Sequence, residues 1–561
     1  MARVSNWWLR RGAIIYALYS PDQCAKILSL VSTRDLLGGL TWDAPDLPHL
    51  LAAAARHRLT DAASLLQLHE RLLFIRAYPA SPKIKQMADR LLFSFARRID
   101  EFRAAGEDLA AFEDPAVSGI AGTSFSAVFS YEVARRLAGL NRCLEIDWEN
   151  FDQSAQFGAV LRRFLPLLDE DWPVEAHVPF RAWVAALKDR DTSDLKWLLK
   201  RIARLSLPER DRAELYESLE LLLVWRIGDS PKSRSRLRLP VRRSYYHRQA
   251  LIRRSDISLE RELSGPPLPI TRLSRSEARK ALDLILETSA MRYRELYGFT
   301  HPDARRVFRA DVGRGAEILF FAVPPSWRLP LRAYHCGMFF KNGVPAGYVE
   351  LLSFFERSEV GFNLYYTFRE GESAWLYAGL LRLFRQVLGV TCFSVDPYQI
   401  GLENDEALDS GAFWFYRKLG FRPLDPTVLR LVEREECRMK LDAGYRSSRR
   451  TLAQLARSHL MFESPGAEQG AWDCFRIRTL AMAIQKRMQD SDCALTALLR
   501  AIPNFSAWTG EEQASAELIV SAKYDGDEAR YLRLMQRHAR LRAAALKLGS
   551  SKLEEQTQGV H

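Results

Sequence analysis

The chain has 561 residues, with 81 lysines and arginines against 69 aspartates and glutamates, a formal net charge of +12. Its 47% hydrophobic and 11% aromatic residues exclude a disordered chain, which could not bury enough apolar surface to offset its ordering entropy. The length suits roughly three or four domains, and the basic excess suits a nucleic-acid binder, a membrane-surface protein or an enzyme for anionic ligands without choosing among them.

The N-terminus, MARVSNWWLRRGAIIYALYS, carries arginines and a short apolar run from Gly12 to Tyr19. No small-residue cleavage site follows cleanly, so a first amphipathic helix is expected rather than a leader. No run approaches the ~18–20 apolar residues of a bilayer span. A soluble, cytoplasmic protein without a membrane partner is expected. Seven cysteines at wide spacings, with no CxxC pair, argue against a disulfide framework or structural zinc. The ten histidines are scattered, with no HExxH or HxxxH, and no metal site is expected.

Residues 1–228 show apolar residues at three- and four-residue spacing, as in Asp61–Ile75 and Asp194–Leu205, and predict a helical N-terminal domain. Ser193-Asp-Leu-Lys and Ser206-Leu-Pro-Glu read as helix starts, because a side-chain oxygen can cap free N–H groups. Residues 229–270 read as an exposed basic linker. Between Pro231 and Ser255 lie nine lysines and arginines and no acidic residue, interleaved with Tyr245, Tyr246 and His247. Such a stretch suits a tether or the docking of an acidic partner, RNA included.

From 271 to 435 the pattern changes. A helix over Ser274–Tyr297 precedes strand-like runs at Glu317–Val323, Ala333–Phe340, Gly347–Phe355 and Gly361–Phe368. Lys341-Asn342-Gly343 predicts a hairpin, since Asn-Gly accepts positive φ. A helix over Glu372–Leu388, a strand at Val390–Val395 and a helix over Glu406–Leu419 follow. This order predicts an α+β domain on one mixed sheet, flanked by all-helical regions. Residues 440–548 predict helices at Thr451–Phe462, Ala471–Gln489, Cys493–Ile502, Gly510–Lys523 and Asp527–Leu548, with a frayed polar tail beyond.

The most specific segment is Asp409-Ser-Gly-Ala-Phe-Trp-Phe-Tyr-Arg-Lys-Leu-Gly-Phe421. By spacing, Ala412, Phe415 and Leu419 share a helix face that can pack on a sheet, with Tyr416 at its edge, and Gly420 can end the helix. The segment resembles the last motif of the GNAT superfamily of N-acetyltransferases, N-x-x-A-x-x-F-Y-x-K-x-G-F. Ala412, Phe415, Tyr416, Lys418, Gly420 and Phe421 match, and Asp409 stands in place of the asparagine. The resemblance covers about 270–435 only.

It implies transfer of an acetyl or other acyl group from acyl-CoA, as co-substrate and without a metal, to a primary amine on a small molecule or protein. Such chemistry needs N–H groups for the pyrophosphate, removal of a proton from the amine and help for the departing thiolate. The family's phosphate loop, Q/R-x-x-G-x-G/A, has an imperfect counterpart in Phe368-Arg-Glu-Gly-Glu-Ser-Ala374. Arg369, Gly371, Ser373 and Ala374 are its candidates, opposed by Glu370 and Glu372. Tyr416 is the candidate thiolate partner. Glu350 is the candidate base, on a strand face with Tyr348, Leu352 and Phe354; His335 reads as a core residue. In the family the crevice between the fourth and fifth strands admits the pantetheine arm, and Asn404 or Asp409 can bond its amides; a loop turn and a surface charge are their local alternatives. The rival expectation is a catalytically degenerate GNAT fold that docks protein or RNA. A relative using aminoacyl-tRNA as donor usually needs two such domains, and one is found here.

Overall fold

The computed structural model describes residues 33–140, 143–151, 155–171, 178–488 and 493–550. The helix expected at the N-terminus and the polar tail beyond 550 lie outside them. The chain divides into two compact units: one holds residues up to Ala250 with Arg279–Thr300 and Lys341–Pro345, the other Leu251–Ala278, His301–Phe340 and everything from Ala346 onward.

The first unit is not all-helical, a correction to the sequence expectation. Helices such as Ala62–Ala77, Pro82–Phe93 and Asp194–Ala203 form, and Ser193 caps the last by accepting from the Lys196 N–H at 3.3 Å. Ser206 does not cap; the next helix starts at Glu209, behind Pro208. A small antiparallel sheet joins β1 (Ser124–Val128), β2 (Leu144–Ile146) and β3 (Leu222–Arg226) in the order β1-β3-β2. Its central strand comes from the apolar run Leu221–Ile227, too short to separate strand from helix by periodicity. Phe125 and Trp225 meet across it at 5.7 Å.

The basic stretch is likewise not an exposed tether. Ser233, Arg234, Ser235, Leu237, Leu239 and His247 are buried in this unit. Arg234 pairs with buried Glu70 at 2.7 Å, Lys232 with buried Glu287 at 2.8 Å and Arg238 with Asp89 at 3.1 Å; Arg236 pairs with Asp229. Alternation in Ser-Arg-Leu-Arg-Leu turns the leucines inward, and Glu287, Glu70 and Asp89, distant in sequence, pair with Lys232, Arg234 and Arg238, while Arg242, Arg243, Arg248, Arg253 and Arg254 stay exposed.

The second unit is α+β, built on a nine-stranded mixed sheet. Its strands are β4 (Ile270–Arg272), β5 (Val307–Gly313), β6 (Ala316–Ala322), β7 (Ala333–Lys341), β8 (Val344–Phe354), β9 (Arg357–Leu364), β10 (Cys392–Val395), β11 (Arg422–Pro423) and β12 (Leu460–Glu463). They lie in the order β11-β12-β10-β9-β8-β7-β6-β5-β4. The β7–β8 hairpin turns at Asn342 and Gly343, φ 48° and 79°, as Asn-Gly predicts. β9 and β10 are parallel, so the chain between them must cross over the sheet. It does so through α1 (Ser373–Leu388), whose Leu376, Tyr377, Leu380, Leu381 and Phe384 are buried and which ends on left-handed Gly389.

After β10 come α2 (Pro397–Ile400), α3 (Asp405–Asp409), α4 (Ala412–Arg417) and α5 (Pro426–Leu441). The single helix expected over Glu406–Leu419 is broken by Gly411 at φ 65°. Residues 440–548 are not a separate helical region. The helix expected over Thr451–Phe462 is Arg449–Leu455 followed by β12, which inserts between β10 and β11. Gln536, on the helix Glu528–Arg537, donates to the carbonyls of Phe355 and Leu388, fastening the C-terminal helices to the sheet's own connections. No helix among the described residues is long and apolar enough to cross a membrane.

Candidate functional site

The parallel pairing of β9 and β10 runs from Arg357↔Cys392 to Glu359↔Ser394. β9 continues to Leu364, still paired with β8 on its other side. β10 ends at Val395, so beyond Glu359 the edge of β9 has no β10 partner. A cleft of about 650 Å³ lies there, walled by Phe362, Asn363 and Leu364 of β9, Ser373 of α1, Gln399 of α2, the segment from α3 through Lys418, and Tyr445–Ser447. This volume suits a nucleotide-sized ligand.

The cleft gathers five of the eight candidate site residues, Arg369, Ser373, Asn404, Asp409 and Tyr416. Gly371, Ala374 and Glu350 do not line it. Ala374 is buried on the inner side of α1. The N–H of Gly371 bonds the Phe368 carbonyl at 3.0 Å and is not free for a ligand. Arg369 donates to Glu406 at 2.5 Å and to the Leu364 carbonyl at 3.3 Å. Asn404 takes the local alternative: it caps α3 by accepting from the Ala407 N–H at 3.2 Å and donates to the Tyr398 carbonyl at 3.0 Å. Asp409 pairs with Arg449.

Tyr416 is buried rather than at the edge of a face, at 3% exposure. Phe413, Trp414 and Tyr416 are buried in α4, while Ala412 and Phe415 are half-buried, because the break at Gly411 resets the helix phase. The Tyr416 ring meets Phe415, Tyr377 and Phe421 edge-on at 5.2, 5.5 and 5.7 Å. Burial pushes its phenol above the ordinary value, so it stays protonated at neutral pH.

Glu350 lies on the half-buried face of β8, opposite Gly361, and accepts a hydrogen bond from the Tyr334 hydroxyl. Burial raises its carboxyl pKa, opposed by that bond. Glu359 of β9, Asp396 at the cap of α2 and His459 just before β12 bring ligand-type atoms within 4.8 Å of one another. His459 Nε2 is 3.4 Å from Asp396, and Arg332 is 3.6 Å from Glu359. The hydrogen bond from His459, with help from the Tyr398 N–H, holds Asp396 below the usual carboxylate range. Sequence spacing gave no sign of this group, because His459 sits just before a strand that reads as helix.

Sequence reasoning also passed over Arg254, Arg446 and Ser447. The loop holding the last two is pinned by Glu435 of α5, 1% exposed, which accepts from the Tyr445 and Ser447 hydroxyls at 3.0 and 2.5 Å. Ser447 in turn accepts from the Trp414 indole at 3.1 Å. Comparison of the chain with models of protein families, with curated proteins and with solved structures returns no match.

Proposed function

We propose that the chain is an N-acyltransferase of GNAT type, which holds an acyl-CoA in the cleft beside the free end of β9 and passes the acyl group to a primary amine. The carrying observation is the cleft itself. The edge of β9 beyond Glu359 faces a nucleotide-sized cleft, so an extended amide-bearing arm can bond to it as an added strand would. The FYRKLGF segment, with Tyr416 in the cleft wall, agrees with this.

The amine nitrogen attacks the thioester carbonyl, the C–N bond forms, the C–S bond breaks, and the proton lost from nitrogen balances the one gained by sulfur. A thiol has a pKa of about 8.5, and the Tyr416 phenol is held above its own ordinary value. Full transfer from the phenol is therefore uphill, and Tyr416 serves the thiolate as a hydrogen-bond donor. Glu350 has a raised pKa but does not line the cleft, so the scheme names no base for the amine proton in the cleft wall.

Calorimetric titration of the full chain with acetyl-CoA tests the reading; absence of binding at millimolar ligand removes it. Where binding is found, Tyr416→Phe lowers kcat by about 10- to 100-fold with a smaller change in KM, and an unchanged kcat takes Tyr416 out of the scheme. The second reading, a degenerate fold used for docking, is favoured by one feature: Arg369 and the Gly371 N–H both have partners within the protein. It predicts acetyl-CoA binding without turnover, or none.

A further inference from the structure

Four cations and two carboxylates line the cleft: Arg254, Arg369, Lys418 and Arg446, with Glu406 and Asp409. They do not cancel evenly. Arg369 pairs with Glu406, and Asp409 with Arg449. None of Arg254, Lys418 and Arg446 has a carboxylate partner among the described residues. Their mutual repulsion is felt: burial, then the charges of Arg254 and Arg446, lower the Lys418 pKa.

Like charges gathered without a counter-charge cost free energy unless a ligand supplies one, and local devices hold two of them in place. Arg446 is fixed by its own loop, donating to the carbonyls of Ala443 and Tyr445 at 3.0 and 2.7 Å, neither of which carries a counter-charge. Arg254 lies in a 3-10 turn, Arg254–Asp256, that packs against α1. The Asp256 carboxylate in that turn is occupied by the Arg253 N–H at 2.9 Å. Buried Glu372, at the start of α1, accepts from the Ile252 N–H at 3.3 Å while paired with Arg314. The glutamate that opposes a phosphate in the sequence is thus neutralised, and it anchors the backbone beside Arg254.

We infer that Arg254, Lys418 and Arg446 are the anion-holding wall of this cleft and bind the phosphate groups of a phosphate-bearing ligand, in place of the loop 368–374. This rests on the acyl-CoA reading for the identity of the ligand, though not for its charge. Two sources share the chemistry, coenzyme A and a free nucleotide.

The test is calorimetry on the full chain with coenzyme A, pantetheine and ATP at two salt concentrations. Coenzyme A is expected to bind at least tenfold more tightly than pantetheine, and to weaken with salt as exposed charge pairs do. Lys418→Glu and Arg254→Glu are each expected to weaken it by about tenfold or more, and Arg369→Ala by less. Both glutamate variants change exposed side chains, and thermal melts check their folding. Coenzyme A binding that the two variants leave unchanged, or that pantetheine matches, overturns the anion wall and leaves the acyl-CoA reading standing. ATP binding that is sensitive to Lys418→Glu, with no coenzyme A binding, keeps the wall and removes the acyl-CoA reading. No binding by either phosphate ligand, or tighter Lys418-dependent binding of an RNA oligonucleotide, overturns the assignment to a small ligand.

Discussion

Arg234 shows how far a residue's neighbours can be from its sequence surroundings. In the chain it belongs to a stretch with no acidic residue; in the fold it is buried, donating to Glu70 at 2.7 Å and to the Ala116 carbonyl at 2.6 Å. Nothing near position 234 announces Glu70. Arg234→Ala would leave that carboxylate buried without this partner, at a cost of about 3–5 kcal/mol. Urea denaturation should show the loss, and a change under 1 kcal/mol would mean that water reaches Glu70. Tyr416 was legible from its motif, but its burial was not, because the phase of α4 depends on the left-handed Gly411 before it.

At the scale of elements, α1 was legible nearly to the residue. Its apolar spacing from Glu372 to Leu388 is a local signal. Gly389 has φ 70°, and a Cβ there would meet Gln536 Oε1 at 2.7 Å. Gly389→Ala is therefore expected to cost about 1–2 kcal/mol and to lower the melting temperature; a neutral result would show that Gln536 swings away freely. β12 was not legible. Leu460-Met-Phe-Glu is a short apolar run that fits either periodicity, and only its pairing with β10 and β11 makes it a strand. Misreading β12 hid His459, and with it the group around Asp396 and Glu359.

At the scale of the whole molecule, each unit buries a neutral histidine. Burial lowers His69 in one and His335 in the other from 6.5 to about 4. The folded state then binds fewer protons than the unfolded chain below pH 6.5, so stability is full above that pH and falls as pH drops toward 4. Each histidine accounts for about 2 kcal/mol of loss by pH 5, above the ordinary carboxylate range. Urea midpoints at pH 7 and 5 check this, and His335→Gln should flatten part of the slope. A flat profile in both proteins would show that these rings charge without unfolding. By itself the sequence determined which segments are amphipathic, where Asn342-Gly343 turns the chain, and that one α+β region carries an FYRKLGF segment, because these are local preferences of backbone and side chain. Only the tertiary structure decided that β9 runs past the end of β10, which arginines stand without a carboxylate and which carboxylates pair with the rest. Those are contacts between residues tens to hundreds apart, and charge pairing acts through space rather than along the chain.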